Sequence, residues 1–187
     1  WAQNQPVPSD LYSFLRHDSK KALLKINGRK TPYEIVDGYA SISRVWAPGD
    51  RVDWILPMEV RRVLAHPQVK ENIGKVALQY GPLVYCVEWP DYSESVFNLL
   101  LPDRQRLTVR TNQNLYHLVN RINVIQGNAY ALKYSKDPSK LLRNRKPFQA
   151  IPYYAWAHRG AGEMSVWLAH REESVRPTPP PTLASKS

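Results

Sequence analysis

The alternation of apolar and polar residues along the chain predicts short β-strands and no confident helix. Apolar residues occupy mainly every second position in 39–46 and again in 51–56, which is typical of half-buried strands. Further strands are expected at 22–26, 58–64, 75–79, 83–88, 96–101, 106–110, 121–126 and 129–134. Short strands at such intervals favour an all-β fold, an antiparallel β-sandwich or two packed sandwiches.

Glycine-containing pairs predict the turns between these strands. Asn27-Gly28 and Gly127-Asn128 each have the composition of a two-residue hairpin turn, because both residue types tolerate positive φ. Asp37-Gly38 is expected to form another turn of this kind. The sequence Ala47-Pro48-Gly49-Asp50 is expected to return the chain so that 39–46 pairs with 51–56.

The stretch Ile151–Leu168 combines adjacent tyrosines, two tryptophans and a Gly-x-Gly sequence. It predicts a β-hairpin whose strands are Phe148–Ala157 and Glu163–Leu168, with the turn at Arg159–Gly162. The basic segment that precedes it, Ser135–Lys146, is expected to be a loop. This hairpin has no nucleophile–base pair and no metal-ligand spacing, so it carries no chemistry by itself.

The aromatic residues of this stretch have two interpretations. Aromatic residues on strands are more often core, so we expect Tyr153, Tyr154, Trp156 and Trp167 to be buried. If the rings were exposed, they could instead stack against sugar rings.

The chain of 187 residues is expected to have three parts. Residues 1–58 are expected to be the N-terminal part of a β-sandwich that starts inside a domain, and 59–171 the main sandwich. Residues 172–187 are rich in proline, threonine and serine, which predicts a disordered tail. No apolar run approaches the roughly 20 residues needed to span a bilayer, so no membrane partner is expected.

The net charge of +10 is concentrated in one part of the chain. Residues 104–171 hold 12 Lys and Arg against 2 Asp and Glu, whereas residues 1–103 hold 12 of each. A basic part of this kind could meet phosphates or acidic polysaccharide, or could be a solvated rim or a face against an acidic neighbouring domain. Nucleic acid is not expected as a partner, because no nucleic-acid-binding motif accompanies the charge.

The residues that could carry chemistry form no recognisable catalytic or metal-binding motif. Cys86 is the only cysteine and lies in an apolar run, where a buried, inert thiol is expected. The five histidines lack metal-ligand spacing, and an acid/base pair within 104–171 would need Asp137 and Glu163. We therefore assign no catalytic residue and no metal ligand. The candidates for substrate binding are Tyr154, Trp156, His158 and Arg159.

Several runs of residues, taken in order, resemble one family. The sequence resembles the C-terminal β-sandwich region of family 127 glycoside hydrolases, the β-L-arabinofuranosidases, and of the related family 146. The resemblance covers roughly residues 20–170 and rests on Gly38–Ile42 leading to Trp46, Leu56–Arg62 with Ala65–Pro67, Gly74–Cys86 and Ile151–Leu168.

The resemblance implies that the chemistry takes place outside this chain. In that family an upstream (α/α)6 barrel carries a zinc-bound cysteine nucleophile, and none of its motifs occurs here. Cys86 does not correspond to that nucleophile, so zinc is expected only in the barrel. The implied partners are the protein's own catalytic barrel, a second copy in a homodimer and an arabinose-containing plant glycan as the parent substrate. The compartment stays open between periplasmic, secreted and cytoplasmic.

Three functions follow from these observations. The first is a non-catalytic β-sandwich fragment of a β-L-arabinofuranosidase-like glycoside hydrolase, inactive alone, that supports the catalytic barrel and contributes to dimerisation. The second is a carbohydrate-binding β-sandwich module that uses exposed aromatic residues. The third, less favoured, is a basic nucleic-acid-binding domain.

Overall fold

The computed structural model of the protein describes residues 8–16, 20–112, 121–137 and 139–179. The strands in the first half are β1 (Tyr12–Phe14), β2 (Leu23–Ile26), β3 (Arg29–Lys30), β4 (Glu34–Val36), β5 (Tyr39–Ser41), β6 (Val52–Ile55), β7 (Val60–Ala65), β8 (Lys75–Tyr80) and β9 (Leu83–Glu88). The remaining strands are β10 (Leu99–Leu100), β11 (Thr108–Asn112), β12 (Ile122–Tyr134), β13 (Leu141–Pro152), β14 (Met164–Ser165) and β15 (Leu168–Ala169). Short 3₁₀ turns lie at Lys70–Asn72, Trp89–Asp91, Val96–Asn98, Tyr153–Ala155 and Glu172–Ser174.

The all-β fold predicted from the sequence is confirmed, and its main body is a β-sandwich. Strand β8 pairs with β9, β9 with β13, β13 with β12, β12 with β10, β10 with β15, and β15 again with β8. These pairs are antiparallel except β10–β15, which is parallel. Because the pairings close on themselves, β8 and β13 each pass from one layer of the sandwich to the other.

The principal core lies inside this closed set of strands. It is built from side chains that alternate along the strands, as a sheet with one buried face requires. The cluster comprises Leu78, Tyr85, Val87, Val96, Leu99, Leu101, Ile125, Ala129, Ala131, Phe148, Ala150 and Leu168. Burial of these side chains is the main stabilising contribution to this part of the fold.

Residues 20–58 form two small sheets. Strands β3, β2 and β6 form one, and β4 and β5 form the other. The hairpin turns predicted at Asn27-Gly28 and Asp37-Gly38 are confirmed, since all four residues have positive φ. The predicted pairing of 39–46 with 51–56 is wrong, because β6 pairs with β2 instead.

Strand β1 belongs to the first predicted domain and yet pairs with β7 in the main sheet. The division of the chain at residue 58 therefore stays a prediction. In the described part of the chain, no helix has the length and apolar character needed to cross a membrane.

The hairpin predicted at Gly127-Asn128 is wrong, because Ile122–Tyr134 is one continuous strand. Gly127 serves a different purpose there. A Cβ at this position would lie 2.8 Å from the Arg106 carbonyl oxygen, so glycine allows the preceding segment to approach the strand closely. The basic segment predicted as a loop contains the actual turn and the beginning of β13, whose residues pair with β12.

The hairpin predicted within Ile151–Leu168 is also wrong. Strand β13 ends at Pro152, and its last residues pair with β9. Strand β14 pairs with the far end of the same β9, at Val87 and Glu88. The two arms therefore pair with a shared neighbour at different places and not with each other.

The segment predicted as a disordered tail is ordered over its first residues. Val175 is buried, and Thr178 exchanges backbone hydrogen bonds with β12 at Leu132 and Tyr134. Asn98 adds a side-chain hydrogen bond of 2.8 Å to the Thr178 hydroxyl. The prolines, threonines and serines that predict a disordered tail give no sign of these tertiary contacts. Residues 180–187 lie outside the described part of the chain.

Candidate functional site

The candidate binding residues lie on the segment that follows β13, and their rings are exposed. The side chains of Tyr153, Tyr154 and Trp156 are 47%, 58% and 38% exposed. The expectation that these three rings are core is therefore wrong, while Trp167 is half-buried. The reason is local, because the strand ends at Pro152 and the 3₁₀ turn Tyr153–Ala155 directs only Ala155 into the core.

Two of the exposed rings lie against each other. The ring centroids of Tyr153 and Trp156 are 6.1 Å apart, and the ring planes differ by 22°. His158, in the same segment, is also exposed, and its Nδ1 lies 3.2 Å from the Ala155 carbonyl oxygen and 3.1 Å from that of Trp156. Contact with two acceptors favours the tautomer in which Nδ1 carries the proton and donates.

Arg159 is the centre of a largely buried ion-pair network. Its Nη1 and Nη2 each donate to Asp91 over 2.8 Å, and its Nε donates to Glu88 over 2.8 Å. Glu88 is only 1% exposed. Burial alone would lower the pKa of Arg159, but the hydrogen bonds and charges of Asp91 and then Glu88 outweigh it and raise that pKa. Arg159, a candidate for substrate binding, therefore binds two carboxylates of the protein itself, Asp91 and Glu88.

The same network fixes the backbone of the aromatic segment. The amide of Ala157 donates to the second Glu88 carboxylate oxygen over 3.0 Å. Ala157 has φ of 70°, a conformation that costs free energy for a residue with a Cβ and persists only where surrounding contacts impose it. At Gly162 a Cβ would overlap the Trp89 indole, so only glycine fits. These contacts constrain the backbone of the segment.

A cleft of about 470 Å³ opens beside Tyr154. We call it the Tyr154 cleft, and its lining includes Tyr80, Leu83, Thr111, Arg121, Asn123 and Tyr154. Thr111 and Asn123 face each other across the β11–β12 pair, and the Thr111 hydroxyl donates to Asn123 Oδ1 over 3.0 Å. Sequence reasoning missed these polar residues, because no local pattern shows which strands become neighbours.

The carboxylates considered as an acid/base pair both have local structural roles. Glu163 accepts a hydrogen bond of 2.9 Å from the Val96 amide. Asp137 accepts hydrogen bonds from the amide and hydroxyl of Ser139, which lower the pKa of this carboxyl. Among the described residues there is no group of three or more His, Cys, Asp and Glu that could hold a metal ion. His17 and His117 lie outside the described residues.

We predict that Cys86 is unreactive in the folded protein. Its side chain is fully buried, and burial, followed by the charge of Glu88, raises the pKa of the thiol to about 12. The nucleophilic thiolate is therefore scarce at pH 8. Ellman's reagent at pH 8 should detect less than about a tenth of a thiol per native chain and one thiol after unfolding in guanidinium chloride. Rapid labelling of the native chain would contradict the burial of this side chain.

Comparison with known proteins gives consistent similarities. Residues 60–169 match the profile described as "Glycoside hydrolase family 127 C-terminal domain", and residues 7–58 match "Beta-L-arabinofuranosidase, GH127 middle domain". A non-reducing end β-L-arabinofuranosidase of Bifidobacterium longum subsp. longum is 29% identical over 154 residues, which are 77% of this chain and 23% of that protein.

Solved structures are similar over the same region. A GH127 β-arabinofuranosidase superposes with a TM-score of 0.86 at 36% identity, over 97% of this chain and 28% of the other. A GH127 β-L-arabinofuranosidase of Geobacillus stearothermophilus T6 gives a TM-score of 0.73 at 40% identity, over 80% of this chain and 24% of the other. The chain thus spans about a quarter of the length of these relatives.

Proposed function

This chain belongs to glycoside hydrolase family 127, and from that premise we propose that it is the non-catalytic β-sandwich part of a β-L-arabinofuranosidase-like enzyme. In this proposal it supports a catalytic (α/α)6 domain. The activity of the whole enzyme would be the release of β-L-arabinofuranosyl units, as the names of the relatives suggest. We propose arabinose-containing plant glycans as its substrates.

Zinc would belong to the catalytic domain, because the residues described here do not fit such a site. The only cysteine is enclosed in strand β9, and its pKa is raised, whereas a zinc ligand must be a thiolate. No catalytic step is therefore attributed to this chain.

An apolar cleft before residue 58 is the observation that carries the supporting role. The cleft has a volume of about 950 Å³ and lies between the two small sheets. We call it the lysine-rimmed cleft, and its lining includes Lys20, Lys21, Lys30, Ile35, Tyr39 and Trp54. Ile35 and Tyr39 are 57% and 78% exposed. Large apolar side chains concentrated around one opening are typical of a surface that another protein part covers.

Charge indicates which kind of segment would cover it. Three lysines and no Asp or Glu line the cleft. An apolar segment flanked by carboxylates would bury the exposed rings and methyl groups while its acidic residues met the lysine rim. We therefore propose that such a segment of the catalytic domain occupies the lysine-rimmed cleft.

We predict that the chain binds a separately purified (α/α)6 domain of the Geobacillus relative and that Ile35→Lys weakens this complex at least about tenfold. A lysine at position 35 would lose the apolar burial of isoleucine and place a charge against the apolar part of the partner segment. Sedimentation velocity at increasing concentrations of the catalytic domain measures the affinity. Ile73→Lys is the matched control, because Ile73 is 59% exposed and lies outside the cleft.

The outcomes separate the proposal from its alternatives. Absence of a complex at about 100 μM, a concentration at which even weak specific interfaces associate, would contradict the supporting role. Equal weakening by the two substitutions would show that the cleft is not the contact surface. Self-association of the chain that Ile35→Lys abolishes would assign the cleft to a homodimer instead.

A further inference from the structure

The Tyr154 cleft combines an exposed aromatic ring with polar groups that converge from other strands. Tyr154 is 58% exposed and lies between the buried residues Pro152, two positions before it, and Ala155, directly after it, so its backbone is anchored on both sides. An anchored tyrosine presents a flat apolar face with little entropy left to lose, which favours binding of a ligand that is apolar on one side. The C–H face of a sugar ring has that property.

The lining of the Tyr154 cleft also supplies hydrogen-bonding groups suited to hydroxyls. The Thr111 hydroxyl donates to Asn123 Oδ1, which orients the amide so that Nδ2 is its donor. Among the described residues Nδ2 has no protein partner. Arg121 lines the cleft beside it and is exposed. The lining therefore presents amide, hydroxyl and guanidinium groups to the cleft. The cleft volume of about 470 Å³ falls in the usual range for small-molecule sites.

A neighbouring cavity makes this surface strongly basic. It has a volume of about 490 Å³, shares Met58 and Tyr80 with the Tyr154 cleft, and is lined by Arg16, Arg61 and Arg62. Together the two linings hold four arginines and one carboxylate, Glu59. Clefts that are lined by one sign of charge concentrate ligands of the opposite sign.

Arg62 contributes one of these positive charges. Its Nη2 donates to the carbonyl oxygens of Pro102 and Gln105, and its buried Nε has no partner among the described residues. Burial lowers the pKa of this guanidinium. The charge of Asp103 acts to raise the pKa of Arg62. The Asp103 carboxylate itself lies 2.7 Å from Nδ1 of His170. The charge of Arg62 is thus left without a bonded carboxylate within the described part of the chain.

We propose that the Tyr154 cleft binds an acidic sugar, a uronate unit of an oligosaccharide. In this assignment the C–H face of the ring lies on Tyr154, the hydroxyls contact Asn123 and Thr111, and the carboxylate contacts Arg121. Arginine binds a carboxylate through two parallel N–H···O hydrogen bonds. A neutral sugar has no carboxylate to accept both of them. The adjoining arginines extend the favourable potential to the next acidic unit of the chain.

The test uses the full chain alone, so it does not depend on the support of a catalytic domain. Titration calorimetry compares tri-galacturonate with neutral arabinotriose at about 20 mM and about 300 mM NaCl, conditions between which screening of exposed charges differs strongly. We expect tri-galacturonate to bind at low salt, at least about tenfold more tightly than arabinotriose, and to weaken at high salt. Tyr154→Ala and Arg121→Gln should each weaken binding about tenfold or more.

Each of these two residues has a matched control. Tyr153→Ala removes a neighbouring exposed ring that does not line the cleft, and Arg110→Gln removes an exposed arginine from strand β11 outside both cavities. Both controls should bind as the unaltered chain does. Equal affinity for the neutral and acidic sugars, equal losses in variants and controls, or no heat at about 5 mM tri-galacturonate, above the range of typical specific sites, would overturn the proposal.

Discussion

Replacing Arg159 with alanine is expected to lower the free energy of unfolding by about 3–5 kcal/mol. The substitution would leave Glu88, which is 1% exposed, as a buried carboxylate without its cation. It would also remove the bidentate contact to Asp91. The penalty arises chiefly from the uncompensated buried charge, because removing one member of such a pair costs more than the pair contributes. Urea denaturation followed by tryptophan fluorescence measures the change.

An exposed ion pair provides the control for this experiment. Arg143 pairs with Glu172 at the surface, and its side chain is 57% exposed. Arg143→Ala should change the free energy of unfolding by less than about 1 kcal/mol, because solvent screens exposed pairs. Equal losses for Arg159→Ala and Arg143→Ala would contradict the importance of burial. Arg159→Lys should be intermediate, since lysine restores the charge and not the two parallel donors.

The Arg159 network also explains why the segment after β13 can present aromatic rings to solvent. A loop with three exposed rings would ordinarily collapse onto the nearest apolar surface. Here the Glu88 carboxylate holds the Ala157 amide, and Gly162 packs against Trp89. The buried polar network therefore holds the backbone that carries the exposed rings. Loss of Arg159 should consequently disturb binding at the Tyr154 cleft as well as stability.

Features that depend on adjacent residues could be predicted from the sequence. The turns at Asn27-Gly28 and Asp37-Gly38 follow from backbone preferences of the two residues involved. The sequence likewise predicts strands β8 and β9, because Gly81 and Pro82 mark the turn that joins them. In each case the residues that cause the turn are adjacent in the sequence, so the sequence alone is enough to predict it.

Features that depend on distant strands could not be predicted in this way. The pair Gly127-Asn128 is typical of a turn. In the structure, however, Gly127 lies within a strand, where the absence of a side chain leaves room for the Arg106 carbonyl of another segment. The sequence places Arg159 in the turn of a hairpin, but its carboxylate partners lie about 70 positions earlier, as the separations of 71 and 68 residues show. The polar wall of the Tyr154 cleft requires the β11–β12 register. Pairing of distant strands, not local propensity, determines each of these sites.

The other large effect is expected at Phe148, where alanine should lower the free energy of unfolding by about 3–5 kcal/mol. Phe148 is 2% exposed, belongs to the principal core and lies opposite Gly127 on β12. Because that glycine contributes no side chain, the lost ring would leave a cavity that its cross-strand neighbour cannot fill. Leu142→Ala is the control on the same strand, where a 36% exposed side chain should cost less than about 1 kcal/mol. Comparable losses in the two variants, measured by urea denaturation, would contradict the closed arrangement of strands around this core.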